Sequence, residues 1–137
     1  MKNFVLLLPL LCILGLASCG EDRSAEMRTL LVGEWKHNYD MGNGVRVKGT
    51  AHYRADQTVS TFSQKYHKGE LEETVKAEGT WSIEDEYLTV ETVAEGSVTK
   101  NRQRVPLIEV NNKVYRYELE GVGELFETRV EGEKAKE

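Results

Sequence analysis

Apolar and polar positions alternate with period two through most of the chain. In VRVKGTAHYR, Val45, Val47, Gly49, Ala51 and Tyr53 share one face, and Arg46, Lys48, Thr50, His52 and Arg54 share the other. LEETVKAE sets Leu71, Glu73, Val75 and Ala77 against Glu72, Thr74, Lys76 and Glu78. GTWSIE, YLTVETV, KVYRYEL and ELFETRV place Trp81 and Ile83, Leu88 and Val90, Tyr115, Tyr117 and Leu119, and Phe126 and Val130 on their apolar faces. One apolar and one charged face per segment predicts antiparallel strands buried on one side. Turn signals separate these runs: Met41-Gly42-Asn43-Gly44, Ala55-Asp56-Gln57, Lys68-Gly69-Glu70, Glu84-Asp85-Glu86, Glu95-Gly96, Asn111-Asn112-Lys113 and Gly121-Val122-Gly123. Pro106 is expected to end a strand or mark an edge.

This pattern predicts eight to nine strands. The only helical candidate is SAEMRTLL, residues 24–31, with Ser24 as its cap and Met27, Leu30 and Leu31 on one side. Short connections make sequence neighbours spatial neighbours. The expected fold is therefore all-β: a small antiparallel up-and-down barrel of about eight strands behind one short helix, closing to remove its edges. A two-sheet sandwich is the competing architecture.

The first eighteen residues follow another rule. Lys2 precedes an apolar run from Phe4 to Leu16 that ends in small residues, the grammar of a secretory signal peptide. About thirteen residues is too short for a spanning helix, which needs roughly twenty. Leu16-Ala17-Ser18-Cys19 resembles the lipobox of bacterial lipoproteins. The resemblance implies cleavage between Ser18 and Cys19, diacylglycerol on the Cys19 sulfur and often a palmitate-type acyl chain on the new amino group. Acyl chains of this kind give stable membrane anchoring. Gly20 after the acceptor favours the outer membrane in a Gram-negative source. Cys12 lies in the discarded segment, so the mature chain keeps one thiol, already used, and forms no intramolecular disulfide. Cleavage leaves 17 basic against 23 acidic side chains, a net charge of about −6. That acidity argues against nucleic acid. The expected organisation is a signal peptide at 1–18, a lipidated tether at 19–27, a barrel at 28–130 and a flexible polar tail at 131–137.

Leu30-Leu31-Val32-Gly33-Glu34-Trp35 sets a short helix running into G-x-W at the first strand. It resembles the opening of lipocalins and lipocalin-like bacterial lipoproteins. Tyr53-Arg54-Ala55-Asp56-Gln57-Thr58 and Gly79-Thr80-Trp81-Ser82-Ile83 with Leu88 resemble the bacterial group too. The resemblance implies that the first tryptophan closes one barrel end and that the glycine lets helix and strand approach. There is no T-D-Y triplet. The arginine that stacks on that tryptophan has two candidate counterparts, Arg116 and Arg129.

The alternation directs Trp35, Tyr53, Phe62, Trp81, Tyr115, Tyr117 and Phe126 inward. They either line a pocket for a small apolar ligand or simply fill a barrel just wide enough for side chains. Of the histidines, His37 shares the Trp35 face, His52 points out and His67 sits at a turn; their spacing suits no metal, so they are expected at the surface. Ser60, Ser63 and Ser82 lack a nucleophile elbow. The acidic runs at 84–86 and 70–73 read as solvated turns and polar faces, and no glycine pattern cradles phosphate. No enzyme activity, cofactor or metal is expected. Two functions follow: a lipid-anchored binder of a small hydrophobic ligand in the cell envelope, or a ligand-free barrel serving as an interaction module for an envelope protein. Arg46, Lys48, His52 and Arg54 would form a docking stripe in the second.

Overall fold

The computed structural model describes residues 22–131. Ser18, Cys19 and the residues around them lie outside that range. Helix α1 (Ser24–Leu31) precedes eight strands: β1 (Gly33–Gly42), β2 (Val45–Tyr53), β3 (Thr58–His67), β4 (Glu70–Glu84), β5 (Tyr87–Ala94), β6 (Lys100–Val110), β7 (Val114–Leu119) and β8 (Gly123–Arg129). Each strand pairs antiparallel with the next. Trp35 and Lys36 of β1 pair with Arg129 and Thr128 of β8, which closes the barrel in sequential order. The fold is therefore a small up-and-down lipocalin-like barrel, and the sandwich is excluded.

Three connections are two-residue turns with both residues at positive φ: Asn43-Gly44, Lys68-Gly69 and Asp85-Glu86. These left-handed pairs match the twist of the flanking strands, so the hairpins close without splaying. At Ala55–Gln57 a side chain does the work instead. The Asp56 carboxylate accepts hydrogen bonds from the Thr58 amide at 3.0 Å and the Thr58 hydroxyl at 2.6 Å, which hold its pKa below the usual carboxylate range.

Several details correct the sequence reading. LEETVKAE and GTWSIE form one fifteen-residue strand, β4, rather than two. Pro106 neither ends a strand nor marks an edge. It pairs with Tyr87 inside β6 where pairing to β5 stops, just before the register shift between Leu107 and Glu109 against β7. A proline is tolerated beside such an irregularity because the ladder there asks for fewer donors. Ser24 does not cap α1. Arg23 holds that position with no side-chain cap, while the Ser24 hydroxyl accepts the Glu86 amide at 2.9 Å and ties the helix to the β4–β5 turn. Ser24 and Met27 are both buried, so this part of the chain packs against the barrel.

Register fixes which side chains face inward, since directly opposed residues share a face. Trp35, Ala51, Thr61, Ala77 and Ala94 form one such row; Tyr39 and Val47 belong to another, whose next member, Lys65, is exposed beside Glu72. The core gathers Met27 and Leu31 of the helix with Trp35, Tyr53, Val59, Trp81, Ile83, Leu88, Val105, Leu107 and Tyr115. Tyr115 meets Trp35 edge-on at 4.9 Å, and Tyr53 meets Trp81 edge-on at 5.7 Å. Phe126 is not among them. It pairs with Arg116 on the outer face and is 58% exposed. Leu125, Glu127 and Arg129 point inward instead, so β8 is offset by one residue from its apparent apolar face.

Candidate functional site

The connectivity gives the barrel two different ends. The β2–β3, β4–β5 and β6–β7 turns and α1 lie at one; the β1–β2, β3–β4, β5–β6 and β7–β8 turns lie at the other. At the first end Trp35 is wholly buried, and its indole N–H donates to the Leu31 carbonyl at 2.8 Å. The Arg129 guanidinium stacks over the Trp35 ring at 4.3 Å. It donates to the carbonyls of Leu30, Val32 (3.0 Å) and Asn112 (2.9 Å). The last carbonyls of a helix have no internal partner, so Arg129 and Trp35 together finish α1 and seal this end. Gly33, at φ +140°, lies under the guanidinium; a Cβ there would strike Arg129 Nη1. Arg116 plays no part in this closure. It lies outside with Glu109 and Glu124.

Towards the other end the interior is not filled. A cavity of about 280 Å³ lies among His37, Tyr39, Met41, Val47, Ala51, Tyr53, Leu88, Val90, Val105, Tyr115, Tyr117, Leu119, Leu125 and Glu127. Small residues make the room: Ala51, Thr61 and Ser63 stand where larger side chains would fill it, and Gly49 faces His37 across the β1–β2 pair. A Cβ on Gly49 would press on the Phe62 carbonyl and come within 2.9 Å of the His37 ring.

The cavity's walls are mostly apolar, with a polar group on one side. His37 Nδ1 and Glu127 Oε1 are 2.8 Å apart, and both side chains are largely buried (13% and 6% exposed). Tyr39 stacks on His37 at 5.0 Å, and its hydroxyl meets that of Tyr117 at 2.7 Å. The hydroxyls of Tyr53 and Tyr115 are 3.3 Å apart. Burial, with Glu127 close by, pushes the Tyr39 and Tyr53 phenols far above their ordinary value. Burial also raises Tyr117, against the lowering effect of its bond to Tyr39. Four tyrosines, an imidazole and a carboxylate thus present uncharged hydroxyls and one acid to an apolar chamber. Among the described residues no three His, Cys, Asp or Glu side chains come together to hold a metal.

Of the aromatic set expected inside, Tyr53, Tyr115 and Tyr117 line the cavity, while Trp35 and Trp81 pack the sealed end. Phe126 lies outside. Phe62 pairs with Thr50 and Lys76 on the outward parity; it is half-buried, stands apart from the core and borders the cavity. His37 is not a surface histidine but part of the cavity's polar group; His52 is exposed and His67 lies at the β3–β4 turn beside Glu72. Arg129, one of the two candidates for the arginine on Trp35, takes that place; Glu127, the other charged residue that matters most inside, was not anticipated there. The signal that could have found it is parity: Leu125, Glu127 and Arg129 alternate as cleanly as Phe126 and Val130. No helix among the described residues is long and apolar enough to cross a membrane. No family model matches the chain, and no curated protein matches it.

Proposed function

We propose that this protein is a lipid-anchored, lipocalin-like lipoprotein of a bacterial cell envelope, held in the outer membrane in a Gram-negative source, that binds a compact, mostly apolar ligand inside its barrel. The observation that carries the reading is the uneven filling of the interior. The large buried side chains gather at the sealed end, and small ones leave about 280 Å³ at the other. Protein interiors otherwise pack to crystal-like density. That volume falls just below the range of about 300–1,000 Å³ typical of ligand sites, which suits a ligand smaller than a typical drug. Met41, Leu71, Val98 and Val122 stand exposed on or beside the four hairpins at the unfilled end. They offer an apolar ligand surface to meet on its way in.

The anchor rests on Leu16-Ala17-Ser18-Cys19. Ser24 is five residues on from Cys19, a reach of at most about 18 Å, so on this reading the sealed end faces the membrane and the open end faces away. The alternative of a ligand-free docking module draws little support. In the basic stripe, Arg46 bonds Asn38, the Arg54 guanidinium bonds Thr58 and Ser60, and Lys48 sits over the Tyr66 ring. Those charges are engaged by neighbouring strands.

Mass spectrometry of the full chain expressed in its own cell tests both halves. The denatured protein is expected to begin at an acylated Cys19; an unmodified Cys19 contradicts the anchor. The native protein is expected to carry a small molecule that Val47→Trp, which plugs the chamber, excludes. An empty barrel that also takes up no apolar probe contradicts the ligand.

A further inference from the structure

We infer that the cavity selects an amphipathic ligand whose head is a protonated amine or quaternary ammonium, seated at the His37–Glu127 pair, and that it discriminates against carboxylate heads of the fatty-acid type. The inference rests on the cavity being a ligand site.

The charge inventory comes first. Among the described residues, the only ionisable side chains besides tyrosine that line the cavity are His37 and Glu127; no lysine or arginine there does. Arg129, the nearest inward-facing cation along β8, is committed to Trp35 and three carbonyls at the sealed end. With neutral imidazole the pair carries −1, and with imidazolium it carries zero. Neither state is positive. A carboxylate head would therefore enter a low-dielectric chamber with no counter-charge and an acid already inside, which is the costly arrangement for a buried ion.

Geometry supplies the second part. His37 Nδ1 engages one oxygen of Glu127, Oε1. No donor among the described residues bonds to Oε2, yet no fully buried side-chain polar atom there lacks a partner. Oε2 is thus not sealed off, and with Glu127 lining the cavity it is placed to accept from a ligand N–H. Beside it, Tyr39 stacks on His37, and Tyr115, opposite Glu127 in the β7–β8 register, stacks with Tyr117 at 5.8 Å, all of them lining the same cavity. A buried acid attracts ammonium through its charge, and tyrosine rings lining the same chamber add to it through their quadrupoles. The tyrosine hydroxyls pair with one another, and the donor each pair keeps is neutral and supplies no counter-charge to a carboxylate.

Octylamine, octanol and octanoate share one tail and differ only in the head. Each is titrated against N-phenyl-1-naphthylamine, a neutral fluorescent probe, bound to the protein at pH 7. Octylamine is expected to displace the probe at about a tenfold lower concentration than octanoate, with octanol between them. Glu127→Gln should collapse that gap while leaving octanol unchanged. Gln103→Lys alters an exposed residue at the cavity wall and keeps the question open to test if Glu127→Gln does not fold: a cation there should shift the order towards octanoate. Equal displacement by all three, displacement by none, or a gap that survives in the folded variants overturns the selectivity alone. A probe that never binds overturns the ligand reading itself.

Discussion

Two inward charges on β8 decide how this barrel is closed and give its chamber its polar side. Arg129 is the clearer case for stability. Its guanidinium supports three carbonyls and the Trp35 face at once, and bonds to charged groups contribute about 1.5–3 kcal/mol each when desolvated. Arg129→Ala is expected to lower the unfolding free energy by about 2–4 kcal/mol in urea melts. Arg129→Lys should recover less than half of it, because an ammonium cannot reproduce the planar fork. The tyrosines make a second prediction. Tyr39, Tyr53 and Tyr117 are all raised above 10.0 by burial. Their contribution is complete below pH 10. Above it the unfolded chain releases those protons while the folded chain keeps them, so stability falls by up to about 1.4 kcal/mol per pH unit for each tyrosine. Urea midpoints between pH 8 and 11.5 should show the decline, and Tyr39→Phe should make it shallower. These roles were hard to see in the sequence. Arg129 entered only through the resemblance, as one of two candidates to stack on Trp35, while counting charge as outward hid Glu127: its interior partner His37 offsets the cost of burial, and partners across the sheet cannot be read from one strand alone.

Strands and turns were far more legible. The turn signals fall at the observed hairpins, and the inward faces of β2, β5 and β7 were written in their alternation. The failures came where the ladder is irregular. Bulges between Asp40 and Gly42, Lys65 and Tyr66, and Leu107 and Glu109 shift parity without a sequence mark of their own. That is why Leu71, read as apolar and inward, is 52% exposed at the β3–β4 end. Gly79 shows how a single position permits close strand approach. A Cβ there would collide with the Glu91 carbonyl on β5, backbone against side chain with nothing free to rotate away. Gly79→Ala should cost about 2–3 kcal/mol in a denaturant melt. Gly121→Ala, with open space around it and φ of +79°, should cost about 1 kcal/mol from backbone strain alone. Equal losses at the two sites would contradict the close approach at Gly79.

At the scale of the whole molecule, sequential pairing with no spare edge makes a barrel, and a helix with Trp35 and Arg129 seals one end of it. The up-and-down architecture followed from short connections and one-sided strands, so it was readable from the sequence. The chamber was not. Whether inward aromatics fill a barrel or surround a space depends on where the small residues Gly49, Ala51, Thr61 and Ser63 fall relative to them once all eight strands are in register. The measurement that bears most directly on the account is a titration of the protein with N-phenyl-1-naphthylamine, paired with the Val47→Trp variant. Saturable binding of one probe per barrel in the wild type, lost in a Val47→Trp protein that melts as cooperatively, is the predicted result. No saturable binding to the folded wild type, or undiminished binding to the plugged barrel, would contradict it.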